Sequence, residues 1–157
     1  MRAAIITVSS SRGVDDDRGG PALTSFATEL GAEIAGDEIV GDDQTQIAAR
    51  LIEWADLGVE LVLTTGGTGF APSDVTPEAT RAVIEREAPG IAEAMRQASA
   101  AYTPHWMLSR GVAGIRGRSL IINFPGSPKS IAETGAAIAA ALPHALTLLG
   151  DQPSDHR

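Results

Sequence analysis

The chain is 157 residues long, 43% hydrophobic and free of cysteine, with a formal net charge of −8. That length suits one domain able to bury about two thirds of its unfolded surface, so disulfides and a structural metal are not needed, and thiol nucleophiles and cysteine metal sites are excluded. The acidic balance disfavours nucleic acid and anionic membranes as partners, because both are bound through clustered Lys and Arg. Lack of cysteine fits a reducing compartment, so the cytoplasm is the expected location. No basic-then-apolar leader opens the chain, and Glu133, Pro143 and His144 interrupt its most apolar C-terminal stretch, so neither export nor a membrane span is expected.

From the N-terminus, Ala3 to Val8 reads as a buried strand, followed by the hydroxyl-rich loop Ser9 to Gly13. The acidic run Asp15 to Asp17 reads as a solvated loop. Gly20-Pro21 then starts a helix whose Leu23, Phe26, Ala27 and Leu30 follow helical spacing, with Gly31 as the stop. Glu33 to Val40 is a weaker strand. It leads through Gly41-Asp42-Asp43 into a helix with Ile47, Ala48, Leu51, Ile52 and Ala55 on one face. Either aspartate can cap that helix, and for Asp42 the cap competes with a metal-binding role.

The central stretch, Gly58 to Pro77, changes character three times. Val59 and Leu61 to Leu63 form a nearly continuous apolar run, as expected of a strand buried on both faces of a parallel sheet. The run is expected to stop at Thr64. Thr64 to Gly69 then offers hydroxyls and little other side chain, so its backbone N–H groups can approach a bulky anion. Beyond it, Asp74 lies in a short connection before Thr76, a candidate helix cap, and Pro77 at the first helical position. A carboxylate beside a phosphate cradle invites Mg²⁺, although a glycine cluster after a strand is also what an ordinary tight turn contains.

Further along, Pro77 to Ala88 and Ile91 to Ala101 read as helices, the second with Ile91, Met95 and Ala98 as apolar positions. Trp106 to Arg110 is ambiguous. Val112 to Ile115 and Ser119 to Phe124 flank Gly117-Arg118 in a hairpin-like pattern. Asn123 to Lys129 forms a third loop of turn formers, leading into an alanine-rich helix from Ser130 to Leu142 and a short one from Pro143 to Leu149. Residues 1–150 read as one domain and 151–157 as a C-terminal tail.

Strands alternating with helices predict an α/β fold, a doubly wound and mostly parallel sheet with helices on both faces. Ligands of such sheets bind outside the carboxyl ends of the strands, where all three polar loops fall. Asp42 and Asp74 belong to the same edge. There is no GxxxxGK[ST], no GxGxxG after the first strand and no GxSxG, so P-loop, dinucleotide and serine-hydrolase chemistry lack support. His105, His144 and His156 have no metal-ligand spacing, and Trp54 and Trp106 read as packing residues without interleaved basic residues.

The central LVLTTGGTGFAPSDVTPEAT, the ERE-APG that follows it and LSRGVAGIRGRSLIINFPGSPKS closely resemble the molybdopterin adenylyltransferase family of molybdenum-cofactor biosynthesis, including Mog-type proteins and the G domain of gephyrin. The resemblance runs from the first strand to Leu149. It implies a doubly wound α/β fold, a homotrimer, and Mg²⁺-dependent transfer of AMP from ATP to the terminal phosphate of molybdopterin, with release of pyrophosphate. It also implies a downstream molybdenum-insertion protein as a further partner.

Position by position, the resemblance places the metal-linked, catalytic acids at Asp42 and Asp74, with Asp43 a less suitable partner. It places molybdopterin contacts at Thr68, Ser99, Ser109 and Arg110. Nucleotide-facing positions fall on Ser9, Gly66, Gly67, Gly69, Asn123, Pro125, Gly126 and Ser127. Two departures stand out: Ser73 where many relatives have Arg, and Ser10 where many have Asp. Such chemistry needs no histidine or cysteine, because the attacking phosphate is already ionised at neutral pH. The alternatives are a non-catalytic molybdopterin carrier or scaffold of the same fold and a different nucleotide-binding protein that shares only the phosphate loops.

Overall fold

A computed structural model describes residues 1–10 and 19–151. Its strands are β1 (Arg2–Val8), β2 (Glu33–Val40), β3 (Leu61–Thr65), β4 (Arg86–Glu87), β5 (Ala113–Arg116) and β6 (Ser119–Phe124), and its helices α1 (Gly19–Glu29), α2 (Gln44–Asp56), α3 (Thr76–Val83), α4 (Pro89–Ser99), α5 (Pro128–Ile138) and α6 (Leu142–Gly150). The strands form one sheet in the order β2-β1-β3-β6-β5-β4. The first four in that order are parallel, β5 runs antiparallel to β6, and β4 antiparallel to β5. This is the mostly parallel, doubly wound sheet that the alternating pattern predicts.

Alternation along the strands divides the core in two. Ala3, Ile5, Leu61, Leu63, Leu120, Ile122 and Phe124 point to one face, under α1, α4, α5 and α6. Ala4, Ile6, Val8, Val62 and Ile121 point to the other, under Ile47 and Leu51 of α2 and Ala79 and Val83 of α3. With both faces covered, the central strands have no polar side, which is why they read as continuous apolar runs. Trp54 is half-buried against Gly36, where an added Cβ would lie 2.3 Å from the indole ring. It packs as expected, although Arg50 does lie over its ring at 5.7 Å.

Several boundaries differ from the sequence expectation. The β3 strand continues through Thr64 and Thr65, both buried, because their hydroxyls find partners inside the sheet edge: Asn123 Nδ2 donates to Thr64 Oγ1 (3.1 Å), and Thr65 Oγ1 donates to the Pro125 carbonyl (2.7 Å). The expected helix to Ala88 stops at Val83. Glu85 and Ala88 instead donate backbone N–H groups to Ile115 and Ala113, which makes the segment an edge strand. The alanine-rich helix begins at Pro128 and breaks after Ile138, and the two pieces meet at 64°.

Gly135 belongs to the buried side of α5, its Cα facing the Phe26 ring of α1, so its small size serves packing within the chain. The hairpin forms with Gly117 at φ +58, the conformation that a glycine in the first position of a two-residue loop supplies. Ser11 to Gly13, the acidic run Asp15 to Asp17 and residues 152–157 of the tail lie outside the described residues. Among those described, no single helix is long and apolar enough to cross a membrane.

Candidate active site

After β1 the chain goes to β2 on one side, then crosses to β3 on the other. By strand order the switch point of the sheet falls between β1 and β3, where a ligand crevice is expected at the carboxyl ends of the strands. The glycine loop after β3 lies at this switch point, against Val8 at the end of β1. Gly66 and Gly67 have φ of +93 and +71, and an added Cβ would lie 2.5 Å from the Val8 carbonyl oxygen at the first and 2.4 Å from Thr76 Oγ1 at the second. Only glycine allows this approach. Thr76 Oγ1 donates to the Gly66 carbonyl (2.9 Å) and Thr76 N to the Gly67 carbonyl (3.1 Å). Thr76 thus pins the glycine loop and is not the side-chain cap of α3.

The Gly66 N–H is bound to the Phe124 carbonyl (3.3 Å), so it extends the sheet and is not available to an anion. The N–H groups of Gly67, Thr68 and Gly69 make no hydrogen bond among the described residues. Consecutive N–H groups of this kind after two left-handed glycines form an anion-binding concavity. The backbone N–H of Ser9 is likewise taken up by the fold, bound to the Val40 carbonyl (2.8 Å). Gly19, in the first turn of α1, sits where a Cβ would lie 2.7 Å from Thr65 Oγ1 and 3.0 Å from the Gly126 carbonyl, which brings α1 onto the ends of β3 and β6.

Asp42 lies at the tip of β1, against Ser10, and Asp74 lies against Gly69 of the glycine loop. Asp43 caps α2, accepting from Gln46 N (2.9 Å), which leaves Asp42 out of the cap. Asp42 instead pairs with Ser10: its Oδ2 accepts from Ser10 N (3.2 Å) and its own N–H donates to Ser10 Oγ (2.7 Å). Asp74 Oδ2 accepts from Ala71 N (3.0 Å) and lies 2.9 Å from the Cβ position of Gly69. Each carboxylate keeps its Oδ1 outside any hydrogen bond among the described residues. Two oxygen donors of this kind suit Mg²⁺, which takes one or two carboxylates together with substrate phosphates. No group of three or more acidic or histidine side chains forms a complete metal cage among the described residues.

A second feature is a pocket of about 40 Å³ beside the crevice, between α4, α5 and the end of β6. It brings Ser99, Ser109, Asn123 and Pro125 together, four residues named from sequence. Asn123 is 4% exposed and its amide is engaged inside the fold: Nδ2 donates to Thr64 Oγ1 and to Thr80 Oγ1 (2.9 Å), and Oδ1 accepts from Val112 N (3.0 Å). Its side chain therefore fixes β6 against β3 and α3. The Ser127 hydroxyl is likewise the N-cap of α5, accepting from Ser130 N (3.1 Å). The exposed loop residue Gly126 packs near Gly66, whose Cα is 3.8 Å from its Cβ position.

Arg110 is tied into the fold. Its Nε donates to the Gly69 carbonyl, one Nη to the Asp74 carbonyl and the other to Glu78, all at 2.7 Å. The guanidinium holds the Glu78 carboxyl below the usual carboxylate range, and Glu78 in turn raises Arg110. The sequence reading missed Glu78 and Arg96. Arg96 lines the pocket and donates to the carbonyls of Gly111 (2.9 Å) and Ser109 (3.4 Å), with no carboxylate partner among the described residues. The signal for Arg96 was its i, i+3 spacing from Ser99, which puts both on one helix face. For Glu78 there was none, since an acid in the first turn of a helix is commonplace. His105 and His144 are exposed, and His156 lies outside the described residues.

Residues 4–144 match the family described as "Probable molybdopterin binding domain". The chain belongs to the molybdopterin-binding domain family. Within it, the chain is 44% identical over 143 residues to the molybdopterin adenylyltransferase of Helicobacter pylori J99, covering 89% of this chain and 81% of that protein. It is 39% identical to gephyrin of Dictyostelium discoideum over 153 residues, 91% of this chain, and spans only 21% of that longer protein. The molybdopterin biosynthesis enzyme MoaB of Thermus thermophilus superposes with a TM-score of 0.89 and 47% identity, covering 97% of this chain and 98% of the other. The molybdopterin-binding family fold is thus the frame on which the crevice and pocket are built.

Proposed function

We propose that the chain is a molybdopterin adenylyltransferase, which transfers AMP from Mg²⁺-ATP to the terminal phosphate of molybdopterin. The observation that carries this reading is the juxtaposition of three N–H groups without a partner among the described residues, at Gly67, Thr68 and Gly69, with the Asp74 carboxylate. An anion cradle beside an oxygen donor suits a polyphosphate and its cation. Relatives that carry the name molybdopterin adenylyltransferase support the choice of substrates.

In this reaction an oxygen of the molybdopterin phosphate forms a bond to the α-phosphorus of ATP. The bond from that phosphorus to the bridging oxygen breaks, and pyrophosphate leaves with the electron pair. No proton need be removed from the attacking group, which is ionised at neutral pH, so the lack of a placed histidine is no obstacle. The Gly67–Gly69 amides hold phosphate oxygens by preorganised donors. Ser99 and Ser109 face the pocket assigned to molybdopterin, where Arg96 supplies positive charge. Asp42 and Asp74 are the residues that would hold Mg²⁺, whose chemistry there is to neutralise charge on the departing pyrophosphate.

The same reading takes the protein to be a cytoplasmic homotrimer that hands its product to a molybdenum-insertion protein. Sedimentation equilibrium at micromolar concentration is expected to give three chains per particle. The decisive experiment incubates the protein with Mg²⁺, ATP and molybdopterin and follows pyrophosphate and adenylylated molybdopterin. Formation of both supports the enzyme. Molybdopterin binding without either product makes the chain a carrier.

A further inference from the structure

We infer that Arg110 is a positioning residue for the Asp74 segment and does not itself bind a substrate anion; the inference rests on the adenylyl-transfer reading of the site. Residues Phe70 to Ser73 are exposed and contribute nothing to either core. Their connection is therefore held by polar ties alone. Two of these are internal, between Ala71 and Asp74. Arg110 supplies the rest. Its guanidinium bonds the carbonyls at both ends of the connection, Gly69 and Asp74, while its own N–H donates to the Thr68 carbonyl (2.8 Å).

Glu78 sets the direction of this clamp. It accepts from one Nη at 2.7 Å and from the other at 3.3 Å, and it sits on α3, whose first turn also anchors the glycine loop through Thr76. Four of the five guanidinium N–H groups are thus occupied by the fold. The one N–H left, on the Nη that faces Glu78, could give a substrate phosphate a single bond, but a bidentate grip would have to displace Glu78 or a carbonyl, and the pocket lining includes Arg96 but not Arg110. A planar fork is required to bridge two carbonyls and a carboxylate at once, and a lysine ammonium cannot reproduce it.

The test uses Arg110→Lys, which keeps the charge and removes the fork, and Glu78→Gln, which keeps the shape and removes the counter-charge. Three quantities are measured for each: amide hydrogen exchange of residues 66–78 in the ligand-free protein, calorimetric affinity for molybdopterin, and the Mg²⁺ concentration that gives half-maximal turnover. Exchange at residues 70–74 is expected to rise roughly tenfold in Arg110→Lys and less in Glu78→Gln. The Mg²⁺ requirement is expected to rise several-fold, while affinity for molybdopterin stays within about twofold. A general loss of structure would instead move every parameter, together with the melting temperature.

If exchange is unchanged and molybdopterin affinity falls tenfold or more, Arg110 is a substrate ligand and the inference fails. Should Arg110→Lys not fold, Glu78→Gln decides by the same readings. If the wild-type protein shows no turnover, the functional reading fails by itself, and the exchange measurement still tests the clamp.

Discussion

Ser10 and Asp42 bind each other reciprocally: the Ser10 N–H donates to the Asp42 carboxylate while the Asp42 N–H donates to the Ser10 hydroxyl. Thirty-two residues apart in sequence, they join the tip of β1 to that of β2 and fix where the carboxylate lies. Gly41 permits the approach, with its Cβ position 3.3 Å from Ser10 Oγ. An aspartate at position 10 would place a second carboxylate against Asp42, and the hydroxyl avoids that repulsion. Ser10→Ala is expected to lower stability by about 0.5 to 1.5 kcal/mol and to slow adenylyl transfer several-fold. Thermal unfolding and pyrophosphate release check the two parts.

Neighbouring aspartates should separate cleanly by function. Asp43→Ala removes a helix cap and is expected to cost about 1 kcal/mol of stability with turnover retained. Asp42→Asn is expected to do the reverse. Chemical denaturation beside initial rates distinguishes them, and a rate loss in Asp43→Ala that exceeds the loss in Asp42→Asn would exchange their roles.

Asp74→Asn is expected to abolish adenylyl transfer with little change in melting temperature. The amide oxygen of asparagine can still accept from Ala71 N, so the local turn survives while the charge is lost. Surviving turnover in this variant would reduce Asp74 to a turn residue.

Ser99→Ala is expected to weaken molybdopterin binding by roughly ten to a hundredfold, the range for losing a hydrogen bond to a charged acceptor. Binding of Mg²⁺-ATP should be unaffected, because the hydroxyl lines the α4–α5 pocket and not the glycine loop. Calorimetry with each ligand measures this, and equal weakening of both would mean that the two substrates share the pocket.

The Glu78 carboxyl, lowered by Arg110, gives a pH prediction with a definite sign. A depressed carboxyl stabilises the fold at pH above its unfolded value, about 4.3, and that contribution disappears as pH falls through the lower folded value. Wild type is therefore expected to be the more stable of wild type and Glu78→Gln at neutral pH, and the two should converge on acidification below about pH 4. Both side chains are substantially exposed, so the difference at neutral pH should be small. Denaturation midpoints of both proteins across this range provide the measurement.

The sequence by itself determined the sheet class, the order of strands and helices apart from β4, which reads as helix, and the edge where the candidate site lies. Local causes suffice for these: apolar runs at Ala3–Val8 and Leu61–Leu63, glycines at helix ends and in the hairpin, and a hydroxyl or aspartate before a helix. Only the tertiary structure decided which polar groups remain available. Gly66 N–H, the Asn123 amide and the Arg110 guanidinium all read as ligand groups, yet each is engaged by the fold. Their partners lie on other elements; for Arg110 the Gly69 carbonyl is 41 positions away. A donor's availability depends on which acceptors the packed chain brings within hydrogen-bond distance, and for these three groups that is settled by strand order and helix placement, not by neighbours in sequence.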